Sequence, residues 1–339
     1  MKKYITKTIL FFLPLSICIS GVIITYLALD PFRVLWTYDF SKNLHTIAAI
    51  NRDFQTTEFF VQKYPQYHYN SFIFGSSRTI AFLPEHWKKY LPDNSSIFHF
   101  DASVESIYGI YTKLEYLEDH NIPIKNALII LCRDCSFVPD QQKGHLFIKH
   151  PLTSGENTRD FQFAFFKVFL DPRFLKNYIE YSITKTYKPY MQNYILDPNN
   201  IVKIDSITNT IYALDEEQRI AENMEKYYKN DKLRLTEHCE TEQIDSISHI
   251  DAKQEEALQK IVQILERNKT NYRVVISPLW EQIKCNDNDM KILRKHFGEN
   301  LYDFSGKNKY TAPKSNYYEW SHYRPFVGDS IMSKIYSNK

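Results

Sequence analysis

The sequence predicts an α/β protein: a doubly wound, mainly parallel sheet in three α/β/α layers, carrying a helical insertion and preceded by one transmembrane helix. Three observations predict it. Short apolar runs at 70–74, 96–100 and 127–132 are separated by stretches of helical spacing, the β-α-β-α-β order of a doubly wound sheet. The same alternation resumes after residue 251, beyond a long block that lacks it. Residues 8–29 carry no charge and are mostly apolar, about 22 residues or roughly 33 Å of helix, enough to cross a bilayer.

The N-terminal run sets the expected compartment. Pro14 and Gly21 are tolerated inside a membrane helix. Lys2, Lys3 and Lys7 precede the run and Asp30-Pro31-Phe32-Arg33 follows it, so the positive-inside rule puts the N-terminus in the cytoplasm and the remainder outside. The run is long for the apolar region of a signal peptide and lacks an Ala-x-Ala site, so an uncleaved signal anchor is expected rather than a cleaved leader. No second run of that length exists in the sequence. The expected organisation is therefore an N-terminus and anchor (1–30), a membrane-proximal connection (31–69) and one extracytoplasmic domain (70–339) with an insertion at about 137–250.

Each element has a local reason. Residues 44–61 mix apolar and charged positions and read as a helix packed on the domain. The run 70–74 ends in Gly75 and suits a buried strand. A short helix is expected over 84–90, then a second strand over 96–100 that leads into Asp101-Ala102-Ser103-Val104-Glu105-Ser106. A helix over 107–120 places Ile110, Leu114 and Leu117 on one face, and Asn121-Ile122-Pro123 breaks it. The run 127–132 is continuously apolar, as in parallel sheets covered on both faces. Between 137 and 249 the aromatic-rich stretches 161–170 and 178–187 and the charged stretch 215–230 read as helices. This block is an insertion or cap, either packing or facing a substrate. Asp251 caps a helix over 252–268, with Leu258, Ile261, Val262 and Leu265 at helical spacing. A strand over 272–277, a helix over 288–297 ended by Gly298, a short strand over 301–304 and a helix from Pro325 complete the chain.

Composition narrows the class. Apolar residues at 43% against 24% charged imply a packed core, and a net charge of +2 gives no basic footprint for nucleic acid. The 25 Tyr and 23 Phe leave two readings, an aromatic core or a sugar- or lipid-facing groove. Cys18 lies in the apolar run, whereas Cys132, Cys135, Cys239 and Cys285 lie in the exported part, where two disulfides are possible. Cys132-Arg133-Asp134-Cys135 invites a redox reading, but a thioredoxin-like site needs its own small βαβ context. A zinc site needs a second ligand pair, which neither Cys239 nor Cys285 supplies. A structural pair or free buried thiols is expected, with no metal and no cofactor.

Ligands of open parallel sheets sit beyond the carboxyl ends of the strands. Ser76 and Ser77 follow the first strand, 101–106 the second, Arg133 and Asp134 the third, and Glu319-Trp320-Ser321-His322 the last. A serine hydroxyl becomes a nucleophile when an imidazole takes its proton and a carboxylate fixes the imidazole tautomer. His322 and Glu319, three residues apart, are the candidate base and orienter. His99, His238 and His249 have no such constellation and read as structural. Arg78, beside the serines, either binds an anionic substrate group or pairs with a carboxylate and holds the loop. No Gly-x-Ser-x-Gly elbow, P-loop or dinucleotide glycine pattern occurs.

On these residues the chain resembles the SGNH (GDSL-type) hydrolase superfamily, with its flavodoxin-like sheet. More closely, it resembles the membrane-anchored branch that serves D-alanyl transfer to lipoteichoic acid and acetylation of alginate-type polysaccharides. The resemblance covers roughly 70–135 and 250–335. Gly75-Ser76-Ser77 matches the Gly-Asp-Ser block with Ser in place of Asp, which implies Ser77 as nucleophile. Glu319-Trp320-Ser321-His322 matches Asp-x-x-His with Glu in place of Asp, which implies His322 as base and Glu319 as orienter. Ser103 stands where the family has a glycine whose N–H serves the oxyanion hole, so the backbone N–H groups of Ser77 and Ser103 are the implied oxyanion donors. The family's Gly-x-Asn-Asp block is not matched; Cys132-Arg133-Asp134-Cys135 stands there. The resemblance implies a serine esterase or O-acyltransferase acting on a cell-surface glycan or polymer, with a membrane-bound O-acyltransferase as partner. The alternative is a non-catalytic envelope protein of the same fold used in binding or assembly.

Overall fold

The computed structural model describes residues 2–42, 46–198 and 203–337; residues 43–45, where the expected helix 44–61 would begin, lie outside the described residues. The chain forms two compact units, one of Met1–Asp39, His45–Ile50 and Thr158–Ile201, the other of Phe40–Leu44, Asn51–Asn157 and Val202–Lys339.

In the first unit a helix, Lys2–Leu29, runs without interruption through Pro14. Its Leu10–Leu29 portion is long and apolar enough to cross a membrane. The chain leaves it at Asp30, whose carboxylate accepts hydrogen bonds from the N–H of Val34 (3.0 Å) and Leu35 (2.9 Å) and from the Tyr38 hydroxyl (2.9 Å). Helices Thr158–Phe169 and Pro172–Thr184 belong to this unit. Phe32 packs between their Phe165 and Phe174, with ring centroids 5.6 and 5.2 Å away. The second helix starts six residues before the expected 178, because Asp171 caps it, accepting from the Arg173 N–H at 2.8 Å, and Pro172 occupies its first position.

The second unit is built on a five-stranded parallel sheet of β1 (Ser71–Gly75), β2 (Ile97–His99), β3 (Asn126–Leu131), β4 (Asn271–Ile276) and β5 (Leu301–Asp303), in the order β2-β1-β3-β4-β5. Among the described residues, its helices of more than ten residues are α1 (Arg52–Tyr67), α2 (Ile107–Asp119), α3 (Ala252–Arg267), α4 (Asp287–Phe297) and α5 (Pro325–Tyr336). The α/β alternation read from the sequence is therefore present, with a mainly parallel central sheet. α1 starts at Arg52 because the Asn51 side chain accepts from the Phe54 N–H at 2.9 Å, an N-cap that fixes the boundary. α3 is capped by Asp251 in a capping box with Gln254, and buries Leu258, Ile261, Val262 and Leu265 as their spacing requires. Burying each such side chain contributes about 1.5–3 kcal/mol.

Strand alternation sends β1 side chains to two different sets of partners. Phe72 and Phe74 lie with Phe60 of α1 and with Phe100, which Phe60 stacks upon at 5.2 Å between ring centroids. Ile73 joins Leu128, Ile130 and Val275 in a cluster with Phe82, Trp87 and Val327, Ile331, Met332 and Ile335 of α5. Much of the aromatic excess is thus core. The chain also adds two-residue ladders, Lys203–Ile204 with Ile211–Tyr212 and Gln243–Ile244 with Ile283–Lys284, too short to leave a period in the sequence.

Candidate active site

At the carboxyl end of β1 the chain enters a 3₁₀ turn, Ser77–Ala81. Gly75 makes the exit possible: its φ is +146°, and a Cβ there would lie 2.6 Å from the Ile130 carbonyl oxygen on β3. The Ser76 carbonyl then accepts from the Thr79 N–H (2.9 Å) and hydroxyl (2.8 Å), which closes the turn. Behind it, Gly328 lets α5 approach so closely that a Cβ would meet the Ala81 carbonyl oxygen at 2.0 Å. Ser77 opens the turn and is half-buried.

Beyond β5 the chain returns as a hairpin, β6 (Tyr317–Glu319) and β7 (His322–Tyr323), with Glu319 directly opposite His322. Trp320 and Ser321 are its turn, and the Ser321 N–H donates to Glu319 Oε2 at 2.9 Å. His322 Nδ1 hydrogen-bonds Glu319 Oε1, and His322 Nε2 lies 2.8 Å from Ser77 Oγ. With Nδ1–H donated to the carboxylate, Nε2 is the acceptor for the serine hydroxyl. Burial works to raise the Glu319 carboxyl, but the His322 hydrogen bond and charge outweigh it and hold it below the ordinary glutamate value. Ser77, Glu319 and His322 are thus brought together in one connected line.

The hairpin is held by residues that no motif marks. The Tyr228 hydroxyl donates to the Tyr317 carbonyl (2.7 Å) and that of Tyr227 to the Tyr318 carbonyl (2.9 Å); the Trp320 N–H donates to the Leu233 carbonyl (2.9 Å). Glu217 accepts from the Tyr318 hydroxyl at 2.7 Å and from Arg324 Nε at 3.0 Å. Residues 217–233 of the expected insertion therefore buttress the hairpin. Their sequence separation of about ninety residues from it gave no signal to find them by.

The expected substrate contact of Arg78 is corrected by its surroundings. Arg78 is 4% exposed. Nη1 and Nη2 each donate to one Asp134 oxygen at 2.7 Å, Nε donates to the Ser321 carbonyl at 2.9 Å, and Nη2 reaches Ser321 Oγ at 3.1 Å. All three nitrogens are engaged within the protein, so Arg78 is a strut joining the serine turn, the loop after β3 and the hairpin, the second of its two readings. Burial works against its charge, but Cys132, Asp134 and Cys135 around it raise its pKa above the ordinary arginine value.

Ser103 lies in the loop after β2, on the same edge. The Ala102 N–H donates to the Gly75 carbonyl at 3.2 Å, which sets the loop beside the serine turn. Val104 follows at φ +51°, a strained backbone for a β-branched residue. Buried charges hold this loop. Arg52 binds Asp101 (Nη2–Oδ1 2.7 Å) and the Asn209 carbonyl (2.7 Å). Lys113 Nζ lies 2.9 Å from Asp53 Oδ2 and bonds Glu105, which Lys149 Nζ approaches to 2.6 Å. For Asp101 and Asp53 the attraction of these cations exceeds the burial penalty, and both stay below the ordinary aspartate value.

The cysteines are free thiols. Cys132, at the end of β3, has its Sγ 3.4 Å from Ser76 Oγ. Cys132, Asp134 and Cys135 hold ligand atoms within 4.8 Å of one another, but both Asp134 oxygens already accept from Arg78. Compared with protein-family models and with curated proteins, the chain matches none.

Proposed function

We propose that the chain is a membrane-anchored, extracytoplasmic serine esterase or O-acyltransferase of SGNH type, with that superfamily's three-layer α/β/α domain, acting on a cell-surface glycan or polymer. The observation that carries the proposal is the line Ser77–His322–Glu319, with Nε2 2.8 Å from the serine oxygen. In this reading Ser77 Oγ attacks an ester carbonyl while His322 Nε2 takes its proton, and Glu319 stabilises the imidazolium. The backbone N–H groups of Ser77 and Ser103 hold the oxyanion, worth about 3 kcal/mol per donor. The departing alcohol takes the proton from His322 and leaves acyl-Ser77. Water as the second acceptor makes an esterase; a sugar or polyol hydroxyl makes a transferase, with a membrane-bound O-acyltransferase as the partner that supplies the acyl group. The N-terminal helix, with a cytoplasmic N-terminus, anchors the domain.

A fluorophosphonate probe tests this on the full chain. Wild type labels at Ser77, Ser77→Ala does not label, and His322→Ala labels at least about 10³-fold more slowly. A second reading, a non-catalytic envelope protein used in binding or assembly, is favoured by the Cys132-Arg133-Asp134-Cys135 turn standing where a side-chain oxyanion donor is expected. Failure of the folded wild type to label decides for it.

A further inference from the structure

We infer that Cys132 and Cys135 form a redox-modified pair, a dithiol that closes to a disulfide and thereby loosens the Ser77–His322 site through Arg78. The regulatory half rests on the proposed reading of Ser77 and His322; the disulfide itself does not.

The turn after β3 brings the two side chains together. The N–H groups of Cys135 and Ser136 donate to the Cys132 carbonyl at 3.3 and 2.9 Å. Residues three apart in such a turn present their side chains on one side, within the roughly 5–6 Å between Cα atoms that a disulfide spans. Their sulfurs lie within 4.8 Å of each other, and both are free. The surroundings favour one thiolate, on Cys132, whose Sγ is 3.4 Å from the Ser76 hydroxyl; Arg78 Nη1 donates to Cys135 Sγ at 3.7 Å, but the hydrogen bond with Cys132 and burial hold the Cys135 thiol above its usual pKa. The Cys132 thiol is accordingly held below its usual pKa, first by its hydrogen bond with Cys135 and then, against burial, by the Arg78 charge. A metal fits less well, since Arg78 occupies Asp134 and sets a positive charge against the sulfurs.

The two cysteines differ in access. Cys132 is buried and Cys135 half-buried. Cys135 therefore gives its proton to the Cys132 sulfur and, as thiolate, attacks the disulfide of an extracytoplasmic oxidant; one oxidant sulfur leaves and a mixed disulfide forms. Cys132 sulfur then attacks Cys135 Sγ and expels the second thiol. Two electrons pass to the oxidant, one S–S bond breaks as one forms, and the two cysteine protons end on the oxidant's thiols.

Closure to about 2.05 Å between sulfurs pulls Cys135 from Arg78 and Cys132 from Ser76. The same guanidinium donates to Ser321, in the turn between Glu319 and His322. Ser76 is the cap of the turn that carries Ser77. Both sides of the site are therefore one contact away from the sulfurs.

The full chain in detergent is equilibrated with reduced and oxidised glutathione, alkylated and digested with trypsin. Arg133 lies between the cysteines, so cleavage after it leaves two peptides joined only by the disulfide. The expected result is this linked pair under oxidising buffer, with exchange of backbone amides in 76–82 and 317–323 about tenfold faster than in the reduced chain. Fluorophosphonate labelling slows about tenfold and recovers on reduction, and Cys135→Ser abolishes both responses. No linked pair at any glutathione ratio overturns the proposal. A linked pair with unchanged amide exchange overturns the coupling. Changed exchange in a chain that labels in neither state upholds the redox pair and instead sinks the hydrolase reading.

Discussion

The turn after β1 and the loop after β2 lie side by side, joined by the Ala102–Gly75 hydrogen bond, yet they are held by different physics. The first is shaped locally. Gly75 supplies the backbone and Ser76 and Thr79 close the turn, all within five residues; Arg78 and Gly328 only tie the finished turn to its neighbours. The second is shaped from afar. Asp101 and Glu105 are gripped by Arg52, Lys113 and Lys149, up to about fifty residues away. A local device fails when its own residue is changed. A buried charge network fails when any member is removed, because the remaining charges lose their compensation.

The largest expected effect is therefore in the second loop. Lys113→Met leaves Lys149 alone to compensate two buried carboxylates, Asp53 and Glu105, and lowers unfolding free energy by about 4 kcal/mol; denaturant midpoints measure it. A loss under 1 kcal/mol would show that the network is not what holds the loop.

The next effect is in pH. His99 on β2 is buried with no hydrogen-bond partner at either ring nitrogen among the described residues, and burial lowers its pKa from 6.5 to about 4. Between those values the unfolded chain binds the proton and the native chain does not. The contribution is fully present above 6.5 and is lost as pH falls towards 4, about 3 kcal/mol in all. Chemical denaturation of wild type and His99→Met across this window should show the slope in wild type and a shallower one in the variant.

A smaller effect is expected in the first turn. Gly75→Ala meets both a positive φ and the Ile130 carbonyl, at a cost of about 2 kcal/mol. Fluorophosphonate labelling should fall much more than stability does, since the displaced turn carries Ser77. Equal losses in both would mean that the glycine matters for folding alone.

This contrast also explains what was legible beforehand. The α3 face of Leu258, Ile261, Val262 and Leu265, its Asp251 cap and the apolar β3 run could be read because each is a short-range pattern with one physical meaning. Ser77, Glu319 and His322 could be read as candidates because their side chains have the right chemistry and the strand order places them at one edge. The Asp171-Pro172 helix start is a short-range pattern of the same kind, a capping aspartate followed by a proline at the first helical position. Arg78 was ambiguous, since an arginine beside a serine does not reveal where its nitrogens go.

The sequence by itself determined the alternation of strands and helices, the apolar N-terminal helix and the residues able to act as nucleophile, base and orienter, because backbone preference and side-chain chemistry are local properties. Only the tertiary structure decided that His322 meets Ser77 at 2.8 Å and that Arg78 binds Asp134 and Ser321. It also decided that residues 217–233 brace the hairpin and that Cys132 and Cys135 stand against Ser76 and Arg78 of the serine turn. These contacts join positions up to about 245 residues apart, and their geometry is set by how the sheet orders its strands, which no stretch of the chain encodes alone.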